Sequence, residues 1–386
     1  MFTKIKDKVE KLIEPVKPVP VGSYQYHGVK GDRLPYRLNL RVEPSGEGIL
    51  IINASTVLHL NRTAAEYAYH LIQNTPIEQA AQEVADKYDI SPEEMKRDFA
   101  DFRAQLDTII HTPDLDPVTY LDLERVEPYS KKLNAPYRLD CALTYRLSEG
   151  ATQDDAPTYR VKRELTKEEW FTILEKIRQA GIPQVIFTGG EPTLRSDLPD
   201  LVAQCEKLGI VCGLLTDGLR FADKGYMRSV LNKGLDHIML LGAPRDDRFW
   251  KSLKNLMDDD IAVTVHLTLT SEDHSELEEA LPKLATSGLR SLSLSASDPH
   301  HEKHLQKLQE QAIAQGLSLV WDLPVPYSQY NPVNMELKSK GKRMAKGAGN
   351  AWLYVEPDGD VLPAQGINRV LGNLLDDPWS SIWRKR

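Results

Sequence analysis

The sequence predicts an α/β protein whose larger part is a parallel sheet, preceded by a small α+β unit. Three observations carry this. Between residues 138 and 315, short apolar runs alternate with amphipathic helical stretches in six successive β-α units. That pattern implies right-handed crossovers and a parallel sheet, either open and doubly wound or closed as a barrel. The second of these strands, Val185 to Phe187, runs into Gly189-Gly190-Glu191-Pro192. Glycines there let the backbone approach a ligand, and Glu191 is one charged acceptor at the strand end where such folds bind ligands; the plainer alternative is a tight turn with a solvated Glu. Before the alternation begins, residues 36–110 read as three short strands followed by three helices, a winged-helix-like order.

The totals bound the function. A chain of 386 residues holds two or three domains, and 41% apolar with 27% charged residues is ordinary globular composition. A net charge of -8 argues against a general nucleic-acid binder, which needs a basic face. The three cysteines, Cys141, Cys205 and Cys212, sit in apolar runs and form no CxxC pair, which suits a reducing cytoplasm. No apolar run approaches the ~18 residues of a transmembrane segment, and no signal peptide is evident, so the expected location is cytoplasmic.

In order, Phe2, Ile5, Val9, Leu12 and Ile13 share one helical face among lysines, and Pro15, Pro18 and Pro20 turn the chain into an extended linker up to residue 35. Such a basic helix docks on the protein's own body or a partner, or lies on anionic membrane. Leu38, Leu40 and Val42 alternate as a strand, residues 49–53 return, and 56–60 make a third strand. Asn61 caps a helix to Gln73, a second spans 77–88, and Ser91-Pro92-Glu93-Glu94 starts a third through Leu106. So short a sheet exposes an unpaired edge, which a partner strand or the chain's own segment 16–26 could cover. Residues 113–136 are polar and proline-bearing, hence a linker. The barrel strands are expected at 138–145, 184–188, 210–216, 236–241, 261–269 and 289–296, with 317–321 as a seventh.

The stretches "ILIINASTVLHLNRTAAEYAYHLI", "PIEQAAQEVADKY" and "SPEEMKRDFADFRAQL" resemble the RiPP recognition element, the PqqD-like peptide-chaperone domain of the pyrroloquinoline quinone pathway, over 36–112. The resemblance implies that a leader peptide adds as a strand to the small sheet and packs against the third helix; an interdomain buttress is the alternative. "ALTYR", "RELTKEEWFTILEKIRQAGIPQVIFTGGEPTLRSDLPDLV" and "LLTDGLRF" resemble the radical S-adenosylmethionine (radical SAM) superfamily. The tail "GNAWLYVEPDGDVLPAQGINRVLGNLLDDPWSSIW" resembles the SPASM/twitch extension of its peptide-modifying branch. The implied fold is a partial (β/α)6 TIM-like barrel over 137–335, with a twitch-like hairpin and helix over 336–386.

The departure lies at the chemistry. The family's CxxxCxxC triplet would fall on Leu147, Ala151 and Asp154, and the tail cysteines on Ala364 and on Lys346 or Gly347. A 4Fe–4S cluster needs thiolates, so the expectation is a degenerate member without clusters and without radical chemistry. The resemblance assigns Gly189, Gly190, Glu191, Pro192, Thr216 and Asp217 to cofactor binding, with Asp217 where the family usually has Asn. Residual SAM binding, weak and through Glu191, is one expectation; retention of these residues for turn geometry is the other.

Asp298-Pro299-His300-His301-Glu302-Lys303-His304 follows the sixth strand. His300 and His304 at i, i+4, with Asp298 or Asp154, are candidates for a metal; a solvated helix start is the commoner meaning. The leading functional expectation is a peptide-binding pseudoenzyme or scaffold in ribosomal peptide maturation. Its partners would be a precursor or leader peptide and an intact radical SAM maturase. The alternatives are non-radical chemistry on SAM, a metal-dependent reaction at the His300–His304 loop, or a plain interaction scaffold.

Overall fold

The computed structural model describes residues 19–28, 36–52, 56–88, 91–112, 133–148, 161–259, 261–271, 273–296, 299–320, 347–365 and 367–386. The chain divides into two compact units, 1–127 and 128–386.

The first unit is a four-stranded antiparallel sheet in the order β1-β2-β3-β4, followed by three helices. Strands β2 (Arg37–Val42), β3 (Gly48–Ile52) and β4 (Thr56–Leu60) follow the sequence pattern. Strand β1 (Gly22–His27) is the addition, pairing along all of β2 from Gly22↔Val42 to His27↔Arg37. The segment expected as a linker, and offered above as a possible cover for an open edge, thus pairs along one sheet edge in cis. Tyr24 and Tyr26 anchor it on the core, Tyr24 meeting the Tyr69 ring edge-on at 4.9 Å. Helix α1 (Arg62–Gln73) is capped by Asn61, whose side chain accepts from the Ala64 N–H. Helix α2 spans Ile77–Tyr88. Helix α3 starts at the Ser91 cap and runs from Pro92 to His111, five residues past the expected Leu106. The apolar face continues through Ile109, which is buried. On the far side of the sheet, β4 pairs only with β3 among the described residues, and Val57 on it is 37% exposed.

In the second unit ten strands form one sheet in the order β11-β10-β9-β8-β7-β6-β5-β12-β13-β14. β5 (Arg138–Thr144), β6 (Gln184–Gly189), β7 (Val211–Thr216), β8 (His237–Leu241), β9 (Ala262–Leu269) and β10 (Ser291–Ala296) are consecutive parallel neighbours. A doubly wound sheet would reverse its order at some strand; from β5 to β11 the order never reverses, which is the winding of a partial (β/α)6 barrel. The intervening helices are α4 (Lys167–Gln179), α5 (Leu198–Leu208), α6 (Lys224–Leu231), α7 (Asp247–Met257), α8 (Ser275–Thr286) and α9 (Glu302–Ala314). β11 (Ser318–Leu319) closes the series as a two-residue strand.

Strand alternation separates two layers. Leu139, Cys141, Val185, Phe187, Cys212, Leu214, Leu240, Val265 and Leu267 are fully buried in the layer shared with the helices. Ile186, Leu215, Met239 and Leu241 form a separate cluster on the inner face. Farther round, the inner face turns polar, with Thr264, His266 and Thr268 on β9 opposite Ser291, Ser293 and Ser295 on β10.

The C-terminal hairpin of β12 (Trp352–Val355) and β13 (Asp360–Leu362), with β14 (Gly372–Asn373), extends the sheet beyond β5. β12 lies parallel to β5, pairing Trp352↔Arg138 through Val355↔Cys141. The Lys176 ammonium on α4 fixes the following turn by donating to the carbonyls of Leu374, Leu375 and Asp377. The last helix, α10 (Trp379–Arg384), is held by the Trp383 indole N–H on the Leu133 carbonyl.

Candidate functional site

The residues singled out at the end of β6 and β7 converge. Gly190 N–H donates to the Thr144 carbonyl and Glu191 N–H to the Arg146 carbonyl, both at 2.7 Å. The β6 tip is thereby laced onto the loop that leaves β5. A Cβ on Gly189, whose φ is +123°, would lie 2.1 Å from the Thr144 carbonyl oxygen; one on Gly190 would lie 2.1 Å from that of Arg146. The close approach the glycines permit is therefore backbone on backbone, rather than backbone on ligand.

Pro192 opens a single 3-10 turn, Pro192–Leu194, and Glu191 points back beneath it. Glu191 Oε1 accepts from the Thr193 N–H at 2.9 Å, the Thr193 hydroxyl at 2.5 Å and the Thr216 hydroxyl at 2.7 Å. Its Oε2 accepts from the Asp217 N–H at 2.7 Å. Burial and the neighbouring Asp217 carboxylate push the Glu191 acid up to about 8, against these donors, which pull it down. Asp217 in turn accepts the Leu219 N–H on Oδ1. Arg220 and Tyr226 brace the turn from outside: both donate to the Thr193 carbonyl, and the guanidinium lies 3.8 Å over the Tyr226 ring. Arg195 supports the other flank, donating to the Leu143 and Leu165 carbonyls and, bidentate, to Asp197.

The positions that a cluster would need offer no thiolate. Leu147 lies half-buried in the loop after β5 and Ala364 half-buried after β13, while Ala151, Asp154 and Lys346 lie outside the described residues. Cys141, Cys205 and Cys212 are each 0% exposed. They belong to β5, α5 and β7, in the layer between sheet and helices; none lies on the loop after β5. Burial pushes the Cys141 thiol well up, the opposite of what a thiolate ligand requires. The donor set of this chain does not fit a 4Fe–4S cluster.

The histidine loop divides. Asp298 lies outside the described residues, His300 sits on a 3-10 turn, and His304 is on α9. The His304 ring packs on His274, 4.8 Å between centroids, a partner on another loop that the local motif could not reveal. Among the described residues no set of three ligands includes His300 or His304; the one such set is Glu356, Asp358 and Asp360 on the β12–β13 hairpin. Those carboxylates are engaged by the Tyr145 hydroxyl, the Asp360 N–H and the Asn373 amide.

Two polar groups on the inner face escaped the sequence reading. His266, 2% exposed, meets the Ser293, Ser295 and Thr268 hydroxyls at 2.9, 3.1 and 3.2 Å, and burial holds its imidazole down to about 4. Thr188, 4% exposed, has no hydrogen-bond partner for its hydroxyl among the described residues. The alternation of "TVHLTL" and "SLSLS" carried the first of these signals. A cleft of about 820 Å³ opens above β8 and β9, lined by residues that include Gly242, Arg245, Thr268, Asp273 and Glu276.

Residues 141–314 match the family described as the radical SAM superfamily. The chain is 36% identical over 111 residues to the PqqA peptide cyclase of Streptomyces rochei, covering 28% of this chain and 30% of that protein. It is 26% identical over 258 residues to the PqqA peptide cyclase of Xanthomonas oryzae pv. oryzae strain MAFF 311018, covering 58% of this chain and 67% of that one. In structure it resembles Streptococcus suis SuiB bound to S-adenosylmethionine, with TM-score 0.59 and 16% identity over 90% of this chain and 86% of that chain. SuiB bound to its precursor peptide SuiA gives TM-score 0.57 and 16% identity over 89% and 86%. No helix among the described residues is long and apolar enough to cross a membrane. The barrel of this chain is thus similar to the radical SAM superfamily over residues 141–314, and the chain is similar to proteins named as PqqA peptide cyclases.

Proposed function

We propose that this chain is a degenerate radical SAM protein that handles peptides without radical chemistry. It carries no 4Fe–4S cluster, and it binds an extended precursor or leader peptide while the barrel serves as scaffold, beside an intact radical SAM maturase. The observation that carries this reading is the burial of all three thiols away from the loop after β5. Without thiolates there is no cluster to deliver the electron that cleaves SAM.

The peptide reading rests on β4. Residues 36–112 act as a RiPP recognition element, with β1 as an added strand that seals the β2 side. Among the described residues the β4 edge has no second partner strand, so an antiparallel or parallel peptide strand adds there, with main-chain hydrogen bonds giving affinity and side-chain pockets against α3 giving selectivity. The peptide-cyclase names of the relatives and the peptide-bound SuiB structure support this choice.

The test is fluorescence anisotropy with short peptides encoded beside the gene. Binding that is lost in Val57→Lys, a charge placed on the open strand, supports the reading. Binding that ignores this substitution, or no binding by any encoded peptide, rejects it.

A further inference from the structure

Strand β1 has the form of a bound peptide. It lies antiparallel along the whole of β2, and the pairing continues where the Gly28 N–H donates to the Tyr36 carbonyl at 3.2 Å. Every position of β1 is half-buried or exposed, whereas Leu38 to Val42 on β2 are buried throughout. Two aromatic anchors, Tyr24 and Tyr26, pack on the core from one side of the strand. The Tyr24 phenol donates to the Pro20 carbonyl at 2.7 Å, so its polar end is satisfied within its own segment.

The other side of the same pairing is mismatched. Leu38, Leu40 and Val42 face the helices, so strand alternation puts Arg37, Asn39 and Arg41 on the opposite face. Gln25 of β1 stands directly across from Asn39. Asn39 is 6% exposed, yet among the described residues neither its amide nitrogen nor its carbonyl oxygen has a hydrogen-bond partner. A buried amide left unpaired is destabilising. The covering strand therefore fits the aromatic side of this edge and leaves its polar side unanswered.

We propose that the β2 edge is a second strand-acceptor site, held in cis by β1, whose partner is an extended peptide of pattern aromatic–acidic–aromatic. The aromatic residues, two positions apart, take the seats of Tyr24 and Tyr26, while main-chain bonds to β2 replace those of β1. The carboxylate between them accepts from the Asn39 amide and lies diagonal to Arg37 and Arg41, whose positive charge favours it. The tether gives β1 an effective concentration on the order of millimolar, so a peptide displaces it only by fitting better. This inference does not rest on peptide capture at β4, which is the other edge of the sheet.

The test uses the full chain with a specific protease site introduced between Gly28 and Tyr36, cut so that β1 loses its tether. The probes are two fluorescent peptides, residues 18–28 of this chain and the same peptide carrying Gln25→Glu, read by anisotropy. The cut chain should bind the substituted peptide about tenfold more tightly than the parent peptide. The uncut chain should bind either one about tenfold more weakly than the cut chain does, or weaker still. Asn39→Ala in the cut chain should bring the two peptides within about threefold of each other. Should that variant fail to melt cooperatively, Asn39→Asp serves instead and should reverse the preference by placing like charges opposite each other. Val57→Lys should leave both affinities unchanged, which separates this edge from β4. Equal binding of the two peptides, or a preference that survives Asn39→Ala, overturns the proposal. So does equal uptake by cut and uncut chains, loss of uptake in Val57→Lys, or an absence of uptake of both peptides.

Discussion

Replacing Gly190 with Ala should unsettle the barrel even with no ligand present. The new Cβ would meet the Arg146 carbonyl oxygen at 2.1 Å and its carbon at 2.8 Å. Both partners are backbone, so no side chain can swing away. Ordinary contact begins near 3.4 Å, so the loop after β5 must retreat by about 1.3 Å. That retreat breaks or stretches two 2.7 Å bonds, Gly190 N–H to Thr144 and Glu191 N–H to Arg146. Overpacking plus two weakened buried hydrogen bonds gives about 3–5 kcal/mol. At about 2–4 °C per kcal/mol for a unit of this size, the melting temperature should fall by roughly 10 °C. Differential scanning calorimetry on the full chain, wild type against Gly190→Ala, reads it. A variant melting within about 1 °C of wild type would refute the reasoning, because the glycine would then be serving something other than loop packing.

Further outcomes follow from the same geometry. Burial holds His237 and His266 down to about 4, whereas in the unfolded chain they titrate near 6.5. The unfolded state therefore binds more protons between those values, and stability is lost as pH falls from about 6.5 towards 4, by about 3 kcal/mol per imidazole at the acid limit. Melting curves across that range should show the loss, and His266→Gln should make it shallower; an unchanged slope would mean that His266 is not held neutral by burial. Lys176→Met removes the ammonium from three carbonyls of the C-terminal extension, costs about 2 kcal/mol, and should hasten proteolysis beyond residue 374. Proteolysis at the wild-type rate would count against the clamp. Deleting residues 19–27 removes β1 and its pairing with β2, so the first unit should lose cooperative unfolding by circular dichroism; an unaltered transition would make β1 dispensable.

The barrel was legible because each strand sits in two layers and each helix in one. The expected strand 210–216 is Val211–Thr216, and the expected strand 184–188 is Gln184–Gly189. Capping chemistry fixed starts as well, as at Asn61 and Ser91. What stayed hidden depended on partners far along the chain. Residues 22–27 carry polar and aromatic side chains in a proline-flanked stretch, so the sequence left segment 16–26 open between a linker and an edge strand; pairing with β2 decides it. The parallel lie of β12 against β5 joins residues more than two hundred apart, as does the Tyr145 hydroxyl on Glu356. At the site, the motif named Glu191 but could not show that four donors already surround it. Likewise, His300 and His304 are adjacent on a helical wheel, yet the ring that meets His304 is His274, from the loop before α8.

The central proposal is that this radical SAM-like fold carries no cluster, and iron content tests it most directly. The full chain should be reconstituted anaerobically with iron and sulfide, desalted, and measured for iron together with its visible spectrum. The account predicts substoichiometric iron and no broad absorbance, unchanged in a variant with all three cysteines replaced by serine. About four irons per chain with a broad visible band, the stoichiometry of one cubane, would contradict it.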